Sequence, residues 1–231
     1  MKKLLISDYD GTFNKTNKLV KMSENIDSVK DFMSNGNIFA LASARSFISL
    51  KSQIQRYNIP YNYLICNNGG IVYDENDNVI FLHPTLNSVI LKTIKYISKR
   101  KIFKSIIFKD YYGNVTTDLD KVYDIICVID TNNIERLEEI KEELNYLCST
   151  PFFHILIFNE SIDKTDGIDV IISKEGIHDD DTYTVGNDFF DINMLTRYNG
   201  YRMHNSNPAL YKPSIKKVPS VRKLVRSIEK Q

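Results

Sequence analysis

Apolar residues fall in short unbroken runs separated by amphipathic stretches, and each run ends in a polar cluster. Leu4, Leu5 and Ile6 lead through Ser7 to Asp8, with the breaker pair Asp10-Gly11 behind them, which predicts a buried strand entering a loop. Ser23 stands at a helix N-cap position ahead of Ile26, Val29, Phe32 and Met33, and Asn35-Gly36 closes that helix. Ile38–Ala42 is a second buried run, ending at Ser43; Phe47–Tyr57 reads as a helix; Tyr63–Cys66 is a third run, ending at Asn67-Asn68-Gly69-Gly70. Strand alternating with helix predicts a parallel sheet with right-handed crossovers.

From about residue 84 the rhythm changes. A helix is expected over 88–99, strands over 103–109 and 123–130, a helix over 134–146 and a strand over 153–158. The parallel pattern resumes at Thr182-Tyr183-Thr184-Val185, which enters Gly186-Asn187-Asp188 and a helix carrying Ile192, Met194 and Leu195. The expected organisation is an α/β parallel-sheet core built from 1–83 and 159–231, with a smaller α+β domain inserted at 84–158.

Composition narrows the function classes. With 42% hydrophobic and 26% charged residues and a net charge of +1, the chain has no global field for nucleic acid or membrane. No stretch approaches the ~20 apolar residues of a membrane span, and the apolar run near the start is too short for a signal-peptide core. Cys66, Cys127 and Cys148 show no C-x-x-C spacing, so a reduced, cytoplasmic protein is expected. His83, His154, His178 and His204 are scattered and read as structural.

In a parallel α/β sheet the loops after the strands converge on one crevice. Here those loops carry Asp8-Tyr9-Asp10-Gly11-Thr12, Ser43-Ala44-Arg45, Asn67-Asn68-Gly69 and Gly186-Asn187-Asp188 with Asp191. Two carboxylates two residues apart can face one site while Tyr9 turns away, and a hard cation between them relieves their repulsion, which suggests magnesium. Taken alone, the same residues also describe an acidic turn.

The four clusters together resemble the haloacid dehalogenase-like superfamily of phosphohydrolases, and the 1–82 and 160–207 segments match it in order and spacing. Asp8 to Thr12 is similar to its first motif, Asp-x-Asp-Gly-Thr; Ser43 to its second; Lys164 to its third; Gly186 to Leu195 to its fourth, Gly-Asp-x-x-Asn-Asp followed by Met-Leu. The inserted segment resembles the cap of the Cof-like sugar-phosphatase branch (the C2B group) in size and pattern. Two positions depart: Asn187 replaces the usual aspartate and Phe190 the usual asparagine.

The resemblance implies a Rossmann-like core and an Mg2+-dependent hydrolase of small phosphorylated metabolites. It makes Asp8 the nucleophile that forms an aspartyl-phosphate and Asp10 the acid and then the base. Ser43 and Lys164 would hold the phosphoryl oxygens. Gly11, Thr12, Ala44, Arg45 and Asn68 are the further phosphate or substrate contacts, and Asp8, Asp10, Asn187, Asp188 and Asp191 the candidate metal ligands. A phosphotransferase or phosphomutase would use the same intermediate with another acceptor, and a weakened protein would bind a phosphorylated ligand without turnover.

Plainer readings compete for several positions. Ser43 could cap a helix, Lys164 could be a surface lysine, and Asp191 could complement a helix dipole. Asp179-Asp180-Asp181 precedes the strand ending at Gly186, so at ~3.3 Å per residue it lies roughly 15 Å from the site and is expected to be a solvated loop. Lys212, Lys216, Lys217, Arg222, Lys223 and Arg226 accompany helically spaced Val221, Leu224, Val225 and Ile228, which predicts a solvated helix face rather than a nucleic-acid patch. Tyr111, Tyr112 and Phe152-Phe153 are pocket candidates, though the favoured reading places them in the inserted domain's own core or surface.

Overall fold

The computed structural model describes residues 2–14, 22–83, 87–99, 103–129, 148–149, 154–157 and 162–230. The chain divides into two compact units, Met1–Arg45 with Leu50–Leu82 and Asp163–Gln231, and Ser46–Ser49 with His83–Ile162.

The first unit is built on an eight-stranded sheet. In chain order its strands are β1 (Leu4–Asp8), β2 (Ile38–Ala42), β3 (Tyr63–Cys66), β4 (Ile71–Asp74), β5 (Val79–Leu82), β10 (Thr182–Gly186), β11 (Asn199–Met203) and β12 (Lys216–Val218). Their spatial order is β12-β11-β10-β1-β2-β3-β4-β5. The strands from β12 to β3 run parallel, and β4 and β5 are added antiparallel. Every residue of β1, β2, β3 and β10 is buried, which is why β1, β2 and β3 read as apolar runs rather than alternating ones, while β10 buries Thr182 and Thr184 between Tyr183 and Val185.

The helices of this unit are α1 (Met22–Ser34), α2 (Phe47–Tyr57) from Leu50 onward, α4 (Lys164–Glu175), α5 (Ile192–Arg197) and α6 (Val221–Ile228). Leu4, Ile6, Ala40 and Ile65 of the sheet share one core with Ile168 and Ile171 of α4 and Met194 and Leu195 of α5. Each Leu, Ile or Met side chain among them contributes about 1.5–3 kcal/mol when fully buried. Gly167 lies where α4 crosses the sheet, since a Cβ there would come within 2.6 Å of Ile65. Val221, Leu224, Val225 and Ile228 of α6 are buried as their spacing predicts, while Lys216, Lys217, Lys223 and Arg226 stay exposed.

The second unit contains α3 (Asn87–Ser98) and an antiparallel sheet, β6-β7-β9-β8 in space. Its strands are β6 (Phe103–Lys109), β7 (Asp124–Ile129), β8 (Cys148–Ser149) and β9 (His154–Ile157). The helix expected over 134–146 and the Phe152-Phe153 pair lie outside the described residues. In β7, Asp124 is buried with one carboxylate oxygen unpartnered among the described residues. Burial pushes its pKa up to about 6 against the pull of Lys109 and a main-chain hydrogen bond from Ile125.

Candidate active site

Strands β10, β1, β2 and β3 are neighbours and run in one direction, so the loops that follow them share one edge of the sheet. Asp8 is the last residue of β1 and pairs in register with Ala42, one residue before Ser43. The strand order therefore gathers the four polar clusters that are far apart in the chain.

At the centre of this edge lies a buried ion cluster. The Lys164 ammonium donates to Asp8 Oδ1 at 2.7 Å and to Asp191 Oδ1 at 2.6 Å. Asp191 and Lys164 are 0% and 3% exposed, and Asp8 is 7% exposed, which excludes a surface lysine at 164. Lys164 opens α4 directly after its N-cap, Asp163, whose carboxylate accepts from Thr165 N while Asp166 accepts from Asp163 N at 2.8 Å. This reciprocal capping fixes where the ammonium starts. Burial would lower the Lys164 pKa, but Asp191 and Asp8 outweigh it and raise it above the ordinary lysine value. Burial, less the pull of Lys164 and reinforced by Asp191, pushes Asp8 up to about 7.

Asp191 also organises the loop before it. Its Oδ2 accepts from the main-chain N–H of Asn187 at 2.8 Å and of Asp188 at 2.9 Å. A Cβ on Gly186 would come within 2.4 Å of the same carboxylate, so glycine is the residue that lets Asp191 fold back under the loop.

The second oxygen of Asp8 faces Asn187. With its nitrogen inward, the Asn187 amide has two N–H donors for three oxygens in reach, Asp8 Oδ2 at 3.1 Å, the Asp10 carbonyl at 2.8 Å and Thr12 Oγ1 at 2.6 Å. With its oxygen inward, it accepts from the Thr12 hydroxyl at 2.6 Å and otherwise meets only acceptors. Gly11, at φ +79°, makes this approach possible: a Cβ there would come within 2.7 Å of the Asn187 side chain. Gly11 N donates to Asn14 O at 3.0 Å, so this glycine supplies space rather than a free donor. Asn205, which follows β11, donates to the Gly11 carbonyl at 3.2 Å, and Asn207 N donates to Asn187 O at 2.8 Å. Sequence reasoning passed over this Asn205-Ser206-Asn207 segment, although it follows the strand next to β10 and so meets the same edge rule.

Ser43 is buried, and its hydroxyl accepts from Arg45 N at 3.2 Å. Ala44 is half-buried in the same turn. The Arg45 guanidinium forks onto the Asp10 carboxylate, Nε to Oδ2 at 2.7 Å and Nη2 to Oδ1 at 2.8 Å, over the buried Tyr9 ring. Asp10 thus presents its main-chain carbonyl inward and its exposed carboxylate outward. Across the loop, Asn67 and Asn68 both adopt left-handed backbone, with φ of 49° and 55°. Asn67 N and Asn68 N donate to the carbonyls of Arg45 and Ser43. Both amide atoms of the buried Asn68 side chain lack a partner among the described residues. A fully buried amide with neither donor nor acceptor satisfied is a natural point of ligand contact.

The chemistry of this set suits a hard cation: Asp8 Oδ2 and the Asp10 carbonyl both lie against the Asn187 side-chain amide, whose oxygen is a third candidate ligand. The other acids named from the sequence are placed differently. Asp188 is exposed and caps the short turn Phe189–Asp191 by accepting from Phe189 N, and both oxygens of Asp191 are engaged by Lys164 and the loop. Among the described residues no three His, Cys, Asp or Glu side chains are grouped to hold a metal ion. The acids 179–181 form a turn before β10, at the end opposite Gly186.

A family model described as haloacid dehalogenase-like hydrolase matches residues 5–123 and 98–219. No curated protein matches the chain. Among solved structures, one described as a HAD/COF-like hydrolase from Plasmodium vivax is similar at a TM-score of 0.80 and 19% identity, covering 99% of this chain and 96% of that one. A haloacid dehalogenase-like hydrolase from B. subtilis gives 0.78 at 13% identity, covering 98% and 99%. A HAD subclass IIB sugar phosphatase gives 0.74 at 18% identity, covering 99% and 98%.

Proposed function

Because this chain belongs to the haloacid dehalogenase-like hydrolases, we propose that it is a magnesium-dependent phosphatase that cleaves phosphate monoesters of small metabolites through an aspartyl-phosphate on Asp8. The observation that carries this reading is the position of Asp8. One oxygen is held by the buried Lys164 ammonium, and the other faces the oxygen set of Asp10 and Asn187.

Magnesium, held by the Asp8 carboxylate, the Asp10 carbonyl and the Asn187 side chain, would supply positive charge that offsets repulsion between Asp8 and an incoming phosphate. The protein's own residues do the rest. Lys164 fixes Asp8 and balances charge on the phosphoryl oxygens, and Ser43 and Asn68 line the same edge as donors. An Asp8 oxygen forms the bond to phosphorus as the ester oxygen departs, and the Asp10 carboxyl donates the proton that oxygen needs. Asp10, now a carboxylate, takes a proton from water as the water oxygen attacks phosphorus. Phosphate is released and Asp8 is restored. For this work Asp10 must leave its fork with Arg45, and a substrate phosphate is a competing anion for that guanidinium.

The fold shared with a sugar phosphatase supports sugar phosphates as the substrate class. Among the described residues no helix is long and apolar enough to cross a membrane. Cys66 is a buried free thiol, which supports a reducing, cytoplasmic setting.

The test is phosphate release from a panel of sugar phosphates and an aryl phosphate, with and without magnesium, for the native chain and Asp8→Asn. Release that requires magnesium and disappears in Asp8→Asn is expected. Release that survives Asp8→Asn would sink the covalent route, and transfer to an added alcohol in place of water would make the protein a phosphotransferase.

A further inference from the structure

One atom of the Asn187 amide touches Asp8 Oδ2, the Asp10 carbonyl and Thr12 Oγ1 at 3.1, 2.8 and 2.6 Å. Nitrogen in that place lies within hydrogen-bond reach of all three oxygens and brings two N–H donors to them. Oxygen in that place accepts only from Thr12, and leaves itself, Asp8 Oδ2 and the Asp10 carbonyl as three acceptors with nothing between them. The two arrangements therefore suit two different states: nitrogen inward without a cation, oxygen inward with one. A half-turn of the amide about its last torsion interconverts them, and the missing side chain of Gly11 leaves the room.

We propose that Asn187 is a neutral plug of the cation position, so that the protein takes up its divalent cation together with phosphate rather than ahead of it. This rests on the phosphatase reading above. With its carboxylates ionised, the buried cluster of Asp8, Asp191 and Lys164 carries two negative charges and one positive, a sum of −1. The Asp10 carboxylate is neutralised outside it by Arg45. A divalent cation alone carries the sum past zero to +1 and displaces the two N–H donors of the amide from those oxygens. A phosphate dianion arriving with it returns the sum to −1. An aspartate at 187 would start the cluster at −2, have no donor to lose, and reach neutrality with the cation alone. The neutral residue thus moves part of the affinity for the cation from the protein to the phosphate, and by linkage the cation strengthens phosphate binding by the same factor.

The experiment is calorimetric titration of Mg2+ into the native chain and into Asn187→Asp, each with and without saturating inorganic phosphate. For the native chain, phosphate is expected to tighten Mg2+ by about tenfold or more. Asn187→Asp is expected to bind Mg2+ alone about tenfold or more tightly than the native chain, with less response to phosphate. Native binding that is indifferent to phosphate, or an unchanged affinity in Asn187→Asp, overturns the proposal and leaves the phosphatase reading standing. Absence of Mg2+ binding in both proteins under both conditions overturns the two together. If Asn187→Asp does not fold without metal, the phosphate dependence of the native chain alone decides.

Discussion

Lys164 and Asp191 lie 2.6 Å apart in full burial, and the same ammonium reaches Asp8 at 2.7 Å. A desolvated pair of this kind is a costly arrangement in itself, and removing one partner strands the other charge in a low-dielectric interior. Lys164→Met leaves two buried carboxylates facing each other. It is expected to cost about 3–5 kcal/mol in chemical denaturation and to abolish phosphate release.

Asp191→Asn separates loop support from charge. The amide oxygen can replace only one of the two carboxylate oxygens that now serve Lys164, Asn187 N and Asp188 N. A loss of about 1.5–3 kcal/mol is expected, the worth of a hydrogen bond to a charged group. Hydrogen exchange at the Asn187 and Asp188 amides should speed up, and unchanged exchange there would refute the assigned bonds.

Arg45→Ala should behave in the opposite way. Its pair with Asp10 is half exposed, with side chains 35% and 52% accessible, so the stability change is expected to stay below ~1 kcal/mol. Catalysis should suffer, because Arg45 is the cation nearest the Asp10 carboxylate. Thermal melting and steady-state kinetics on one sample separate the two effects, and a variant that melts early yet keeps its turnover would contradict this.

Gly11→Ala places a Cβ within 2.7 Å of the Asn187 side chain, on a backbone whose φ is +79°. Left-handed strain alone costs roughly 1–2 kcal/mol for a residue bearing a side chain. The displaced Asn187 should weaken Mg2+ binding as well, and a fully active, equally stable Gly11→Ala would show that the close approach is dispensable.

Asp124, in the inserted unit, makes the pH prediction. Its carboxyl, raised by burial from 3.8 to about 6, keeps its proton in the folded state where the unfolded chain has already released it. This group's contribution to stability is complete below about pH 4 and is lost as pH rises through about 6. Asp124→Asn should flatten that decline and raise stability at pH 8 by about 1–3 kcal/mol, at about 1.4 kcal/mol per pKa unit. Denaturation series at pH 4, 6 and 8 check it; a variant destabilised equally at all three would be inconsistent.

Strands β1, β2 and β3 were legible because a strand covered on both faces is an apolar run, and each is such a run followed by a polar cluster. Strand β10, where Thr182 and Thr184 alternate with Tyr183 and Val185, was legible by the polar cluster that follows it. Strands β4 and β5 were not foreseen. They form a short antiparallel hairpin whose turn, 74–78, is all Asp, Glu and Asn, and β5 is only partly buried, so periodicity had little to register. Helix α4 was also missed, because Gly167 interrupts its apolar face; the signal present was its capping residue, Asp163. At the site, motif order brought out Asp8, Ser43 and Lys164. It could not say that Asp188 turns outward and Asp191 inward, since that choice depends on the short turn at Phe189–Asp191.

The sheet order has a further consequence, in time rather than space. Strand β1 lies between β2 and β10, and Leu4 pairs with both Ile38 and Thr182. At ~5–20 residues per second of synthesis, roughly 10–35 s pass between the emergence of Leu4 and that of its second partner. Throughout that interval the nascent chain presents β1 as an open edge, ready to pair with any other extended segment nearby. The strand that carries the candidate nucleophile is thus the one most in need of shelter while the protein is being made.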